Sequence, residues 1–212
     1  METLTEKQTI IKVTELLEKK NRFAFVTYTR SSLSTVIGEL KGDKKPPKNF
    51  TNAILAGLTT SDPMFVKASQ KDFLKTFEDK LNKIGLSNQN FADAAFLENY
   101  INNNEEVFKI FMSHYLKHAK VLVISFQYKS LISKYFSKDS AFIHVPYNDF
   151  YERIDSVMSQ ISEFSNEYDL CVLDCPMFSS AIAPKIWDTT KMSILDLGKS
   201  LTVARAVAKV KV

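Results

Sequence analysis

From Lys120 onward the chain alternates short apolar runs with segments of helical periodicity. Val121-Leu122-Val123-Ile124-Ser125-Phe126 is continuously apolar, the pattern of a strand buried on both faces of a parallel sheet. Gln127 to Phe136 reads as the helix that follows, Ala141 to Val145 as the next strand, and Asp149 to Phe164 as the next helix. Asp169-Leu170-Cys171-Val172-Leu173-Asp174 predicts a third strand, with a helix running to Trp187. Pro184 is tolerated only near a helix start, which places that start around Ser179–Ala183. Met192 to Asp196 predicts a fourth strand and Ser200 to Lys209 a closing helix.

The N-terminal half has a different rhythm. Ile10, Ile11, Val13, Leu16 and Leu17 form an amphipathic stripe over Thr5 to Lys20, with Thr5 and Gln8 spaced as a capping box. Arg22 to Tyr28 is β-rich and predicts a strand, and Thr29 to Leu40 a helix starting at its C-terminal end. Phe50 to Ala119 reads as mostly helical, with Gln70 to Ile84 stopped by Gly85, and Asn104 to His118 carrying Val107, Ile110, Phe111 and Tyr115. The expected fold is therefore α/β, a Rossmann-like open parallel sheet with flanking helices and a helical insertion in the N-terminal half. One domain spans 1–212, with the insertion at about 48–118, because no repeat or low-complexity linker marks a boundary.

Composition narrows the function. Hydrophobic residues at 45% suffice for a core, and 16 Phe with 8 Tyr read as its packing. A net charge of +4, with lysines spread along the chain, argues against a nucleic-acid footprint, which would have to rest on Lys-rich helices and the basic tail Arg205 to Lys211. No run approaches ~18 apolar residues, so no membrane span is expected, and the N-terminus lacks a secretory pattern. Cys171 and Cys175 stand roughly 13 Å apart along an extended segment, too far to bridge, and fit reduced thiols in a cytoplasm. Five glycines leave no P-loop or dinucleotide fingerprint. The Lys-, Asn-, Ile- and Phe-rich composition fits an AT-rich genome, of a phage or low-GC bacterium.

In an open parallel sheet, ligands collect at the C-terminal strand ends. Four turns qualify: Thr27 to Ser32, Phe126 to Lys129, Asp174 to Ser180, and Asp196 to Ser200. Arg30, surrounded by the hydroxyls of Thr29, Ser31 and Ser32, suits a diphosphate; the alternative is a serine helix cap beside a solvated arginine. Asp174 and Asp196 end apolar strands, where a carboxylate either meets a ribose or acceptor hydroxyl or caps the next helix. His144 reads as a packed strand histidine or, less simply, a general base. His114 and His118 lack the intervening Glu of a zinc motif, and no metal site is expected.

The order of these pieces resembles the GT-D-type glycosyltransferases over about Arg22 to Leu201. Tyr168 to Asp174, Ala181 to Trp187 and Ile194 to Lys199 are similar to that family's strand, nucleotide-contacting turn, helix and Asp-x-Gly strand end. Phe23 to Leu33 is similar in place to its first strand and Arg-Tyr-Gly-Asp-Gly-Glu motif. The resemblance implies a nucleotide-diphosphate sugar as donor and a divalent metal held by the motif's Asp and Glu. Here Arg30 and Ser32 occupy those two positions and Thr27 replaces the motif's Arg, so no metal is expected and Arg30 itself would neutralise the diphosphate. Thr27, Tyr28, Arg30, Ser31, Ser32, Pro176, Ser179, Ser180 and Lys199 are the expected donor contacts, and Asp174 and Asp196 the catalytic carboxylates. The acceptor is unspecified and self-association is left open. The rival reading is a catalytically degenerate binding or assembly module on the same scaffold.

Overall fold

The computed structural model describes residues 3–19, 21–40, 45–86, 89–94 and 105–201, with the side chains of 105–107 excepted. The predicted closing helix and the basic tail fall almost wholly outside them. Helix α1 (Glu6–Glu18) begins at Thr5, whose hydroxyl accepts from the Gln8 amide while the Gln8 side chain accepts from the Thr5 amide, closing the capping box. Strand β1 (Ala24–Thr27) is buried along its length. Helix α2 (Arg30–Val36) follows, stopped by Gly38 in a left-handed conformation (φ 76°), well short of Leu40.

Next come α3 (Lys48–Thr59), β2 (Phe65–Ser69), α4 (Lys71–Lys83) and β3 (Ala92–Asp93). Gly85 (φ 83°) ends α4, with the Leu86 amide donating to the Leu81 carbonyl at 2.9 Å and the Gly85 amide to Asn82 at 3.0 Å, a Schellman closure. Helix α5 (Glu105–Phe111) loosens into a π turn at Met112–Leu116 before β4 (Val121–Ser125). Helix α6 (Lys129–Ile132), β5 (Ala141–His144), α7 (Ile154–Phe164), β6 (Leu170–Asp174), α8 (Phe178–Thr189) and β7 (Ser193–Asp196) complete the described chain.

The seven strands form one sheet in the order β3-β2-β1-β7-β6-β4-β5, every pair parallel. Side chains alternate between two cores. Ala24, Val26, Leu122, Ile124, Cys171, Leu173 and Ile194 pack under α2, α3, α4, α7 and α8. Phe25, Val121, Val123, Val172 and Leu195 pack under α1, α5 and α6. This is the expected α/β parallel sheet with helices on both faces.

Two details depart from expectation. The stretch read as mostly helical also carries β2 and β3, so it threads two strands into the sheet. Lys67 in the middle of Phe65-Val66-Lys67-Ala68-Ser69 breaks the apolar run that would have marked β2, and β3 is two residues long. Lys67 is tolerated there because its ammonium donates to the Thr60 carbonyl at 2.6 Å and to the Gln89 side chain. Pro184, expected near a helix start, sits in the second turn of α8. Its missing N–H leaves the Ser180 carbonyl without an i+4 donor. Packing compensates, because Pro184 is buried against α3 at Gly57.

Candidate functional site

Strands β1 and β7, the first and last described, lie side by side in the middle of the sheet. A cavity of about 240 Å³ lies there, at the C-terminal strand ends. Its wall is Thr27, Tyr28, Thr29, Arg30 and Ser31 after β1, and Pro176, Gly198 and Lys199 after β6 and β7. Gln70, Phe73 and Ala94 close it on the β2 and β3 side. Residues 148 positions apart thus meet at one rim, as the Ser32 and Ser180 hydroxyls do at 2.8 Å beneath it.

Each wall is held by buried hydrogen bonds. Thr29 caps α2, accepting from the Ser32 amide at 3.2 Å, so the cap is neither of the serines expected. Ser32 is fully buried and braces α2 against α8. Ser179 donates to the Cys175 carbonyl and Ser180 to the Met177 carbonyl, locking the turn after β6. Ser69 donates to the Tyr28 carbonyl at 2.7 Å and fixes the turn after β1. Tyr28 runs under the cavity, its hydroxyl buried beside Gly57 with no hydrogen-bond partner among the described residues, and burial drives its pKa far up.

The two carboxylates expected to face a sugar hydroxyl lie instead below the floor. Asp196, 1% exposed, accepts the Thr27 amide through Oδ2 and the Gly198 amide through Oδ1, both at 2.9 Å. It ties the turn after β1 to the turn after β7. Burial raises its pKa to about 7 against the pull of those amides. Asp174, 2% exposed, accepts from the Ser125 hydroxyl at 2.7 Å; among the described residues its Oδ1 makes no hydrogen bond of good geometry. Burial first, then the charge of Asp196, lifts it to about 8, offset in part by Ser125 and the Leu201 amide. Neither side chain lines the cavity. A strand-end Asp in an apolar run signals a special position from sequence, but not whether the carboxylate points up or down.

Of the expected contacts, Thr27, Tyr28, Arg30, Ser31, Pro176 and Lys199 line the cavity, while Ser32, Ser179 and Ser180 support it from below. Arg30 and Lys199 are exposed, and neither makes an ion pair or hydrogen bond among the described residues. Gln70, Phe73 and Ala94 were not anticipated because β2 and β3 were not. His144 is exposed and stacked on Tyr128, not packed in the core. The divalent cation implied by the resemblance does not fit this lining, which offers hydroxyls, an amide and two cations but, among the described residues, no carboxylate. No group of three His, Cys, Asp or Glu side chains gathers anywhere among those residues. No described helix is long and apolar enough to cross a membrane.

Comparison with known proteins places this geometry. The structure superposes on a glycosyltransferase of the domain of unknown function 1792 from Streptococcus sanguinis with a TM-score of 0.75 and 11% identity, covering 99% of this chain and 85% of that one. Two further structures of domain 1792, one described as having a distinct glycosyltransferase fold, each align at a TM-score of 0.72 and 9% identity, covering 100% of this chain and 82% of theirs. Among curated proteins no relative matches. The family model for the GT-D fold-like domain matches residues 7–204, nearly the whole chain. The protein therefore belongs to the GT-D fold-like family.

Proposed function

We propose that the chain is a nucleotide-sugar-dependent glycosyltransferase that neutralises its leaving group with side chains and not with a metal ion. The observation that carries this reading is the pair of cations, Arg30 and Lys199, that line the cavity and make no ion pair or hydrogen bond among the described residues. A guanidinium offers a planar fork of donors to phosphate oxygens, and an ammonium adds a mobile point charge. Thr27, Thr29 and Ser31 add hydroxyl donors around the same space. In transfer, the bond from the anomeric carbon to the diphosphate oxygen breaks as an acceptor hydroxyl attacks. Arg30 and Lys199 stabilise the charge that gathers on the departing diphosphate. Asp196 acts as a positioning residue, fixing Thr27 and Gly198, and Asp174 supports the neighbouring turn through Ser125. A cavity of about 240 Å³ takes the diphosphate and a flanking ring, leaving the rest of a nucleotide sugar along the rim.

Thermal denaturation with UDP- and GDP-sugars, each with manganese and with chelator, tests the reading. At a ligand concentration ~100 times Kd the stabilisation is about 2.7 kcal/mol, a readily measured rise in melting temperature. At least one nucleotide sugar raises it equally in both conditions. No rise with any of them, or one that requires manganese, contradicts the proposal. The replacement of carboxylates by Arg30 and Ser32 also suits a module that keeps the scaffold and has lost the reaction. That reading predicts nucleotide binding without turnover, or neither.

A further inference from the structure

The rim continues past the cavity into an aromatic surface that the donor does not need. After β4, Phe126 and Tyr128 leave the sheet; after β5, His144 is followed by Tyr147 and Phe150. Tyr128 and Tyr147 are 63% and 72% exposed, among the most exposed large hydrophobic residues described. Both are held in place. Tyr128 stacks on His144 with ring centres 4.3 Å apart and planes 14° from parallel. Tyr147 stands edge-on to Phe126 at 5.4 Å and leans on Phe150 at 6.2 Å. The loop bearing Tyr147 is pinned at Asp149, the one non-glycine residue with positive φ (60°) among those described.

A contact through the buried Phe178 ties this surface to the turn that walls the cavity. Phe150 meets Phe178 edge-on at 6.3 Å, and Phe178 opens α8 just after Pro176. From β7, at the cavity, to β5, at the platform, is three strand spacings, roughly 14 Å. Tyrosine rings with wet hydroxyl edges match pyranose rings, which have an apolar C–H face and a hydroxylated rim. Two separate exposed tyrosine rings suit a chain of sugar units better than a nucleobase, which needs one. Resting on the transferase reading above, we propose that Tyr128 and Tyr147 form the acceptor platform, and that the acceptor is a saccharide of at least two pyranose units.

Saturation-transfer NMR with maltose, cellobiose, lactose and N,N′-diacetylchitobiose tests this on the wild-type protein and on Tyr128→Ala and Tyr147→Ala. Both side chains are largely exposed, so unchanged melting temperatures will show that the variants fold. The expected result is transfer to C–H protons of one sugar face in at least one disaccharide, weakened about fivefold in each variant. Calorimetry with UDP and GDP is run in parallel, and affinity is expected to be unchanged in both variants. Loss of nucleotide affinity in either variant would assign the platform to the donor base and overturn the proposal. Nucleotide binding with no saccharide contact overturns it alone. Saccharide contact without nucleotide binding by the wild type sinks the transferase reading and, with it, the acceptor role.

Discussion

At the scale of single residues, the site is organised by carboxylates that touch no solvent. Asp196 accepts from the amides of both Thr27 and Gly198. Asp196→Ala strands two buried N–H groups, costing about 3 kcal/mol and lowering the melting temperature by roughly 10 °C. A change below 2 °C would show that the brace is dispensable. Asp174 has a testable pH signature. Its pKa rises from 3.8 to about 8, chiefly by burial, so between those values the folded state holds a proton that the unfolded chain has released. Its contribution to stability is therefore full below about pH 4 and is lost as pH rises towards 8. Asp174→Asn, neutral throughout, should gain on the wild type from pH 5 towards pH 8 and level off above it in paired melting curves. A constant difference across that range would contradict the buried, protonated state.

At the scale of elements, α3 and α8 approach closely because Gly57 has no side chain. A Cβ there would lie 2.3 Å from the Tyr28 hydroxyl oxygen and 2.6 Å from Pro184 Cγ. In an open helix, Gly→Ala gains about 0.5–1 kcal/mol; here overpacking of about 1–3 kcal/mol outweighs it. Gly57→Ala is expected to lower stability in urea titrations and, by displacing Tyr28 under the cavity, to weaken nucleotide binding. Greater stability with unchanged binding would refute the coupling. This contact was not legible in the sequence, because a glycine within a helical pattern gives no sign of what opposes it. Strands β4, β6 and β7 were legible, since continuous apolar runs have few other homes. Strand β2 was hidden by Lys67, whose ammonium is satisfied by Thr60 and Gln89, seven and 22 residues away, which no local pattern shows. The site followed the same divide: turns at the ends of visible strands were found, whereas Gln70, Phe73 and Ala94, behind hidden strands, were missed.

At the scale of the whole molecule, parallel connection explains why distant turns converge. Every described strand points the same way, so the turns that follow them share one rim, and the adjacency of β1 and β7 brings the first and last of those turns together at the cavity. Cations gather at that opening and aromatic rings along the neighbouring edge, a division that suits a charged donor and a neutral acceptor. The family's fold is kept, and in the proposed reading the guanidinium of the first turn takes the diphosphate. Calorimetric titration of UDP and GDP into the wild type and Arg30→Ala, in chelator, tests this most directly. Metal-free binding by the wild type, weakened roughly 10- to 100-fold by the substitution, is the expected result, as loss of a charged hydrogen bond requires. Equal affinity in the two proteins, or binding restored only by manganese, would contradict it.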